Sequence, residues 1–253
     1  MTKYYSGNSI INLISSVQKL KYPPENIWIL VYGNRKCDPK VILLLSGYSR
    51  NDYNSMKLNR AEKGMLFYVK QLSERTGVPY IYVRFNRDET NISEVYTLKR
   101  EKLIRIKLDK YIEKIESFGI ERSYQASKKP INSKASNSYH LWQINSGLDI
   151  ITTDIDLMRV NQDLQITEVY ELKRSTLDID KWKPYPADFN NFIMLSKLLN
   201  KAQIKFYILF NQYRKEPFVD DIKTIKLYEV MHDEKLEIKF IVKQNISDFL
   251  LNI

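Results

Sequence analysis

The chain has 253 residues, 43% hydrophobic and 28% charged, with seven Gly and eight Pro; this excludes a disordered or fibrous polymer and predicts one large domain or two modest ones. A single cysteine, Cys37, excludes intramolecular disulfides and cysteine-rich zinc sites, and two histidines, His140 and His232, exclude a histidine-rich metal cluster. Forty Lys and Arg against 30 Asp and Glu leave a formal charge of +10, which favours a polyanionic partner such as nucleic acid.

In chain order, residues 9–19 predict a short helix capped by Ser9, with Pro23 and Pro24 after it. IWILV (27–31) and VILLL (41–45) predict buried strands, joined by a turn over Gly33–Pro39. Residues 60–76 predict a helix with Met65, Leu66, Val69 and Leu72 on one side and Gly77 as its stop. PYIYVRF (79–85) and a run near 94–98 predict strands with core side chains. Residues 101–118 predict a helix in which Leu108, Ile112 and Ile115 share a face and Gly119 closes the end. The stretch 123–137 is polar and basic and predicts a connector.

The second half repeats this order. A helix near 137–146 precedes strands near 150–158 and 166–173, then a helix near 187–200 and the strand IKFYILF (204–210). Strands near 223–230 and 236–242 and a helix near 246–251 end the chain. NSIIN (8–12) echoes NSYHL (137–141), and GVPYIYVRF (77–85) echoes KAQIKFYILF (201–210). Such echoes, offset by 125–130 residues, read as an internal duplication or as the generic likeness of two α/β halves. On the duplication reading, the positions facing Glu171 and Lys173 lie near Leu43 and Leu45, and NIWILVYG, opposite ITTDIDLM, holds no carboxylate. The expected segments are 1–100, an α/β domain and candidate inactive duplicate; 101–136, a helix and basic connector; and 137–253, a catalytic domain.

Chemistry concentrates in ITTDIDLMRVNQDLQITEVYELKRS (151–175). Strand alternation puts Asp154 and Asp156 on one face of the first strand, and Glu171 and Lys173 on one face of the next. The turn at Asn161–Asp163 is too short for a parallel crossover, so the pair should be antiparallel. Carboxylates on neighbouring strands, about 4.8 Å apart, can grip one hard cation, and Mg2+ suits a few carboxylates plus water and phosphate. Lys173 can orient or help deprotonate a water and steady charge developing on phosphorus. Downstream, Arg174, Lys181, Lys183, Trp182 and Tyr185 offer cations for phosphates and rings for bases, and Asn190 and Asn191 open the next helix.

The segment resembles the PD-(D/E)xK nuclease superfamily, whose signature is an acidic residue on one strand and (D/E)-x-K on the next. The matching residues are Asp156 and Glu171-Leu172-Lys173, with Asp154 as the second acidic candidate and no Pro-Asp pair. The match spans roughly 137–210. The resemblance implies a restriction-endonuclease-like α/β fold, a mixed sheet flanked by helices, with a helix and strand after the E-x-K strand. It also implies Mg2+, replaceable by Mn2+, held by Asp156 and Glu171; Lys173 as the catalytic lysine; and DNA endonuclease activity. Some relatives of this kind add a glutamate from an earlier helix, for which Glu113, Glu116 and Glu121 are candidates. The alternatives are an RNA-directed nuclease, or a weak or inactive nucleic-acid-binding or assembly subunit. A homodimer would cut both strands of a duplex. The N-terminus lacks an apolar leader and no run of about 18 apolar residues occurs. No membrane partner is therefore expected, and the expected location is cytoplasmic or nucleic-acid-associated inside the cell.

Overall fold

The computed structural model describes residues 9–14, 17–123, 137–216 and 218–253. The connector expected over 123–137 falls almost wholly outside the described residues. The chain divides into two compact units, Pro23–Asp154 and a second made of Ile155–Ile253 plus the segment ending at Tyr22. Each contains a six-stranded mixed sheet flanked by helices, so the architecture is α/β. Among the described residues no helix is long and apolar enough to cross a membrane.

Helix α1 (Ser9–Ile14) buries Ile10 and Ile14, and β1 (Leu20–Lys21) follows. Both belong to the later unit. The Pro23–Asp154 unit begins with β2 (Ile27–Gly33) and β3 (Pro39–Tyr48), an antiparallel pair. Helix α2 (Arg60–Thr76) starts at Asn59, whose side chain accepts the Glu62 N–H while Glu62 accepts the Asn59 N–H; this reciprocal cap satisfies two otherwise orphaned donors. It stops where Gly77 takes φ 67°. The chain then returns as β4 (Tyr80–Asn86), parallel to β3, as a crossover helix permits. β5 (Glu94–Lys99) and β6 (Lys102–Lys107) extend the sheet, and α3 (Leu108–Glu116) follows. Finally α4 (Ser138–Asn145) leads to β7 (Ile151–Asp154), which pairs with β2 at the far edge. The order is β6-β5-β4-β3-β2-β7.

The second unit runs β8 (Leu157–Val160), β9 (Ile166–Ser175), α5 (Phe189–Lys201), β10 (Lys205–Lys215), β11 (Phe218–His232), β12 (Leu236–Asn245) and α6 (Ile246–Leu251). β8 and β9 form the expected antiparallel hairpin; the Asn161 side chain accepts N–H groups of Asp163 and Gln165 and closes its turn. β9 and β10 are parallel across α5. The order is β1-β8-β9-β10-β11-β12.

The two sheets therefore share one pattern of neighbours and directions. Their edge strands are exchanged along the chain: α1–β1 opens the first half yet completes the second sheet, while α4–β7 opens the second half yet completes the first. NSIIN and NSYHL, similar in sequence, fall at these two exchanged helices. The exchange moves the unit boundary to Asp154/Ile155, rather than to 100 or 136. It also breaks the strand expected over 150–158: Ile151–Asp154 joins the first sheet and Leu157–Val160 the second.

The expected helix over 101–118 begins only at Leu108. Lys102–Lys107 is a strand paired along its whole length with β5, and Arg100 and Glu101 turn it back onto β5 with φ of 48° and 64°. Neither turn residue is Gly or Asn, so this hairpin carries no sequence mark.

Beneath α2 lies a closed charged group. Glu62 and Arg84 pair at 3.1 Å with both side chains 0% exposed. The Tyr48 and Tyr82 hydroxyls also donate to Glu62, and Arg84 donates to the Ser55 and Lys57 carbonyls. Replacing one partner strands the other in the core. Arg84→Met is expected to cost about 3–5 kcal/mol in urea unfolding, and adding Glu62→Leu to it should restore part of the loss.

Candidate active site

β9 carries the site because its alternation sorts charge from apolar bulk. Tyr170 and Leu172 turn towards α1 and α6, in the core with Leu157, Leu209, Ile225 and Phe249. Glu171 and Lys173 turn to the other face, which α5 covers. There the Lys173 Nζ lies 2.9 Å from Glu171 Oε1 and 3.4 Å from Asp188 Oδ2, and 5.7 Å from the centre of the Phe192 ring. The Glu171 side chain is 5% exposed and that of Lys173 23%. Asp156 sits where the chain leaves one sheet for the other. Leu157 pairs with Tyr170, so Asp156 lies across from Glu171, and its Oδ2 accepts the Leu172 N–H at 2.7 Å. That bond fixes the carboxylate at the mouth of the β8–β9 ladder.

Burial alone would lower the pKa of the Lys173 ammonium. Glu171, Asp188 and Asp156 together outweigh burial and hold it above its ordinary 10.5. Lys173 is therefore a cation at neutral pH. In that form it donates hydrogen bonds and stabilises negative charge. Glu171, Asp188 and Asp156 each act on this ammonium.

Asp188 is a member that sequence reasoning missed. It precedes α5 at the end of a short 3-10 turn, Pro186–Asp188, and only the packing of α5 on β9 carries it to Lys173. Its one sequence signal is an acidic residue at the start of the helix that follows the E-x-K strand.

Other expected members lie elsewhere. Asp154 ends β7, exposed, paired with Leu30 of the first sheet, so it is not a partner of Asp156 within one strand. Arg174 points to the face opposite Lys173 and pairs with Asp220 at 3.1 Å. Asp220 also accepts from Ser9 N and Oγ, so this Arg anchors α1 rather than a phosphate. Trp182 is 1% exposed and stacks on Phe210 at 4.0 Å and 4°, so it is core rather than an open platform. Lys181, Lys183 and Tyr185 are exposed on the loop before α5; Asn190 is exposed and Asn191 half-buried in its first turn. Glu113, Glu116 and Glu121 belong to the Pro23–Asp154 unit, where Glu113 pairs with Lys110 and Glu116 with Arg122. His140 also lies there, exposed on α4.

The equivalent positions of the first sheet follow from register. Leu44 lies beside Tyr82 as Glu171 lies beside Ile208, and Ser46 beside Arg84 as Lys173 beside Phe210. The helix ends agree, since Gly77 and Gln203 both take positive φ just before the return strand. Ile29, opposite Leu44, answers to Asp156. The counterparts are thus Ile29, Leu44 and Ser46, one residue away from the expected Leu43 and Leu45. Those two leucines face α3 and α4 in the core, and a shift of one residue reverses the face.

The donors offered by Asp156 and Glu171 are hard oxygens, which fit Mg2+. Among the described residues no group of three or more His, Cys, Asp or Glu is placed to hold a metal ion by itself. Two carboxylates suit an ion that keeps water and shares phosphate oxygens.

The raised pKa of Lys173 gives a signed expectation. Its stabilising charge is present in full below about pH 10.5 and is lost as pH rises through the higher folded value. The difference in urea midpoint between wild type and Lys173→Met should stay constant from neutral pH to about pH 10 and shrink above it. A gap that closed near neutral pH would contradict this electrostatic account.

No protein-family model matches the sequence, and no curated protein matches it.

Proposed function

We propose that the unit built on β8–β12 is a magnesium-dependent nuclease that hydrolyses DNA phosphodiester bonds, with Asp156, Glu171 and Lys173 as its centre. The observation that carries this reading is the Lys173–Glu171 contact at 2.9 Å, across from Asp156, on two adjacent strands followed by a crossover helix and a parallel strand. This order of strand, E-x-K strand, helix and strand accords with the PD-(D/E)xK resemblance, with Asp156 just before the first strand. The net charge of +10 accords with a polyanionic substrate.

Asp156 and Glu171 would hold the ion, which when bound polarises a phosphoryl oxygen and acidifies water. Lys173 supplies a fixed ammonium beside the phosphate and stabilises the charge that develops there as the bond breaks. α5 and the Phe192 ring keep this ammonium partly out of water, which strengthens its effect. Lys181 and Lys183 on the loop before α5 and Asn190 and Asn191 in its first turn offer cations and amides to neighbouring phosphates. The first unit, with Ile29, Leu44 and Ser46 at the corresponding positions, is read as a binding or assembly unit.

Purified protein should nick DNA in Mg2+ or Mn2+ and stop on addition of EDTA. Lys173→Ala and Asp156→Asn should each lower the cleavage rate by about 100-fold or more, while gel-shift binding largely persists. Cleavage by Lys173→Ala at the wild-type rate would remove the assignment.

A further inference from the structure

The loop before α5 carries a ring that is both open to solvent and firmly held. Tyr185 is 42% exposed. Its hydroxyl shares a 3.3 Å hydrogen bond with Ser175 Oγ. Ser175 follows Lys173 by two residues on the same face of β9, a spacing of about 7 Å. The Tyr185 ring meets the buried Trp182 edge-on, with centroids 6.0 Å apart at 83°. Trp182 in turn lies flat on Phe210, the β10 neighbour of Lys173. The Tyr185 carbonyl accepts the N–H of Asp188, the residue that holds Lys173. The ring is thus tied to the site through its hydroxyl, its edge and its backbone, while much of its surface stays open.

The surroundings suit a polyanion. Lys181 and Lys183 are exposed in the same loop as the ring, as is the apolar Leu177, at 45%. Of the two acidic residues in the loop, Asp180 is engaged by Lys243 at 2.7 Å, and Asp178 accepts the Asp180 N–H within its own turn. An exposed ring and an apolar side chain gain little from intact duplex, whose bases are stacked on one another. They gain from an unpaired base, whose face is available for stacking, while the lysines meet its phosphates.

Building on the nuclease reading, we propose that Tyr185 is a stacking platform for an unpaired nucleotide next to the scissile phosphate, and that the substrate is single-stranded DNA, free or as the unpaired arm of a branched molecule. Trp182 is the support beneath the platform. One centre per chain suits this substrate, because a single strand needs a single cut.

The test compares a labelled single strand with its duplex, by fluorescence anisotropy in EDTA and by cleavage in Mg2+. Wild type is expected to bind and cut the single strand at least about tenfold better, the scale of one base–aromatic stack. Tyr185→Ala should lose most of that preference, and Tyr185→Phe should keep it, because stacking uses the ring and not the hydroxyl. Equal handling of single strand and duplex by wild type, or an unchanged preference in Tyr185→Ala, would overturn the platform. If wild type cuts neither DNA but Tyr185→Ala still loses single-strand binding, the nuclease reading fails and the platform stands.

Discussion

The period-two alternation of β9 beneath α5 is the constraint on which the rest depends. One face of the strand feeds Tyr170 and Leu172 into the core with α1 and α6. The other brings Glu171 and Lys173 together under α5, where the ammonium meets Asp188. A register slip of one residue would bury the charges in the apolar core and expose the apolar pair. Core packing and the candidate chemistry are therefore specified by the same strand.

The two sheets show what happens to the same architecture when its face chemistry changes. Under α2, Glu62 and Arg84 are fully buried, and tyrosine hydroxyls and loop carbonyls complete their hydrogen bonding. Such a closed group leaves no group for a substrate to engage. Under α5 Glu171 and Lys173 come from the strand itself, and Lys173 keeps 23% of its side chain exposed. A buried ion pair with every hydrogen bond met specifies packing; a partly open one leaves its ammonium within reach of solvent and of a ligand.

The exchange of α1–β1 and α4–β7 explains the peculiar position of Asp156. Its neighbour Ile155 opens the second unit just after Asp154 has ended the edge strand of the first. In a continuous strand Asp154 and Asp156 would point together; with the strand divided, each belongs to a different sheet. Asp156 alone meets the Leu172 N–H and stands opposite Glu171. Sheet membership thus separates the two aspartates, and Asp156 is the one at the strand pair that carries Glu171.

By itself the sequence determined a great deal of the local order. Asn59, Glu62 and Gly77 bound α2 through caps and a left-handed stop, and the alternation in VYELK sets Glu171 and Lys173 on one face. The hairpin of β8 and β9 was legible from the short Asn161–Asp163 turn. Only the tertiary structure decided which sheet each edge strand joins, because β1 and β7 are short and pair with strands distant in sequence. It also placed Asp188 beside Lys173, turned Arg174 to Asp220 and sank Trp182 onto Phe210. Local periodicity and capping act over a few residues and are written in them; the partner that a charge or ring finds across a sheet depends on long-range pairing, which no short segment encodes.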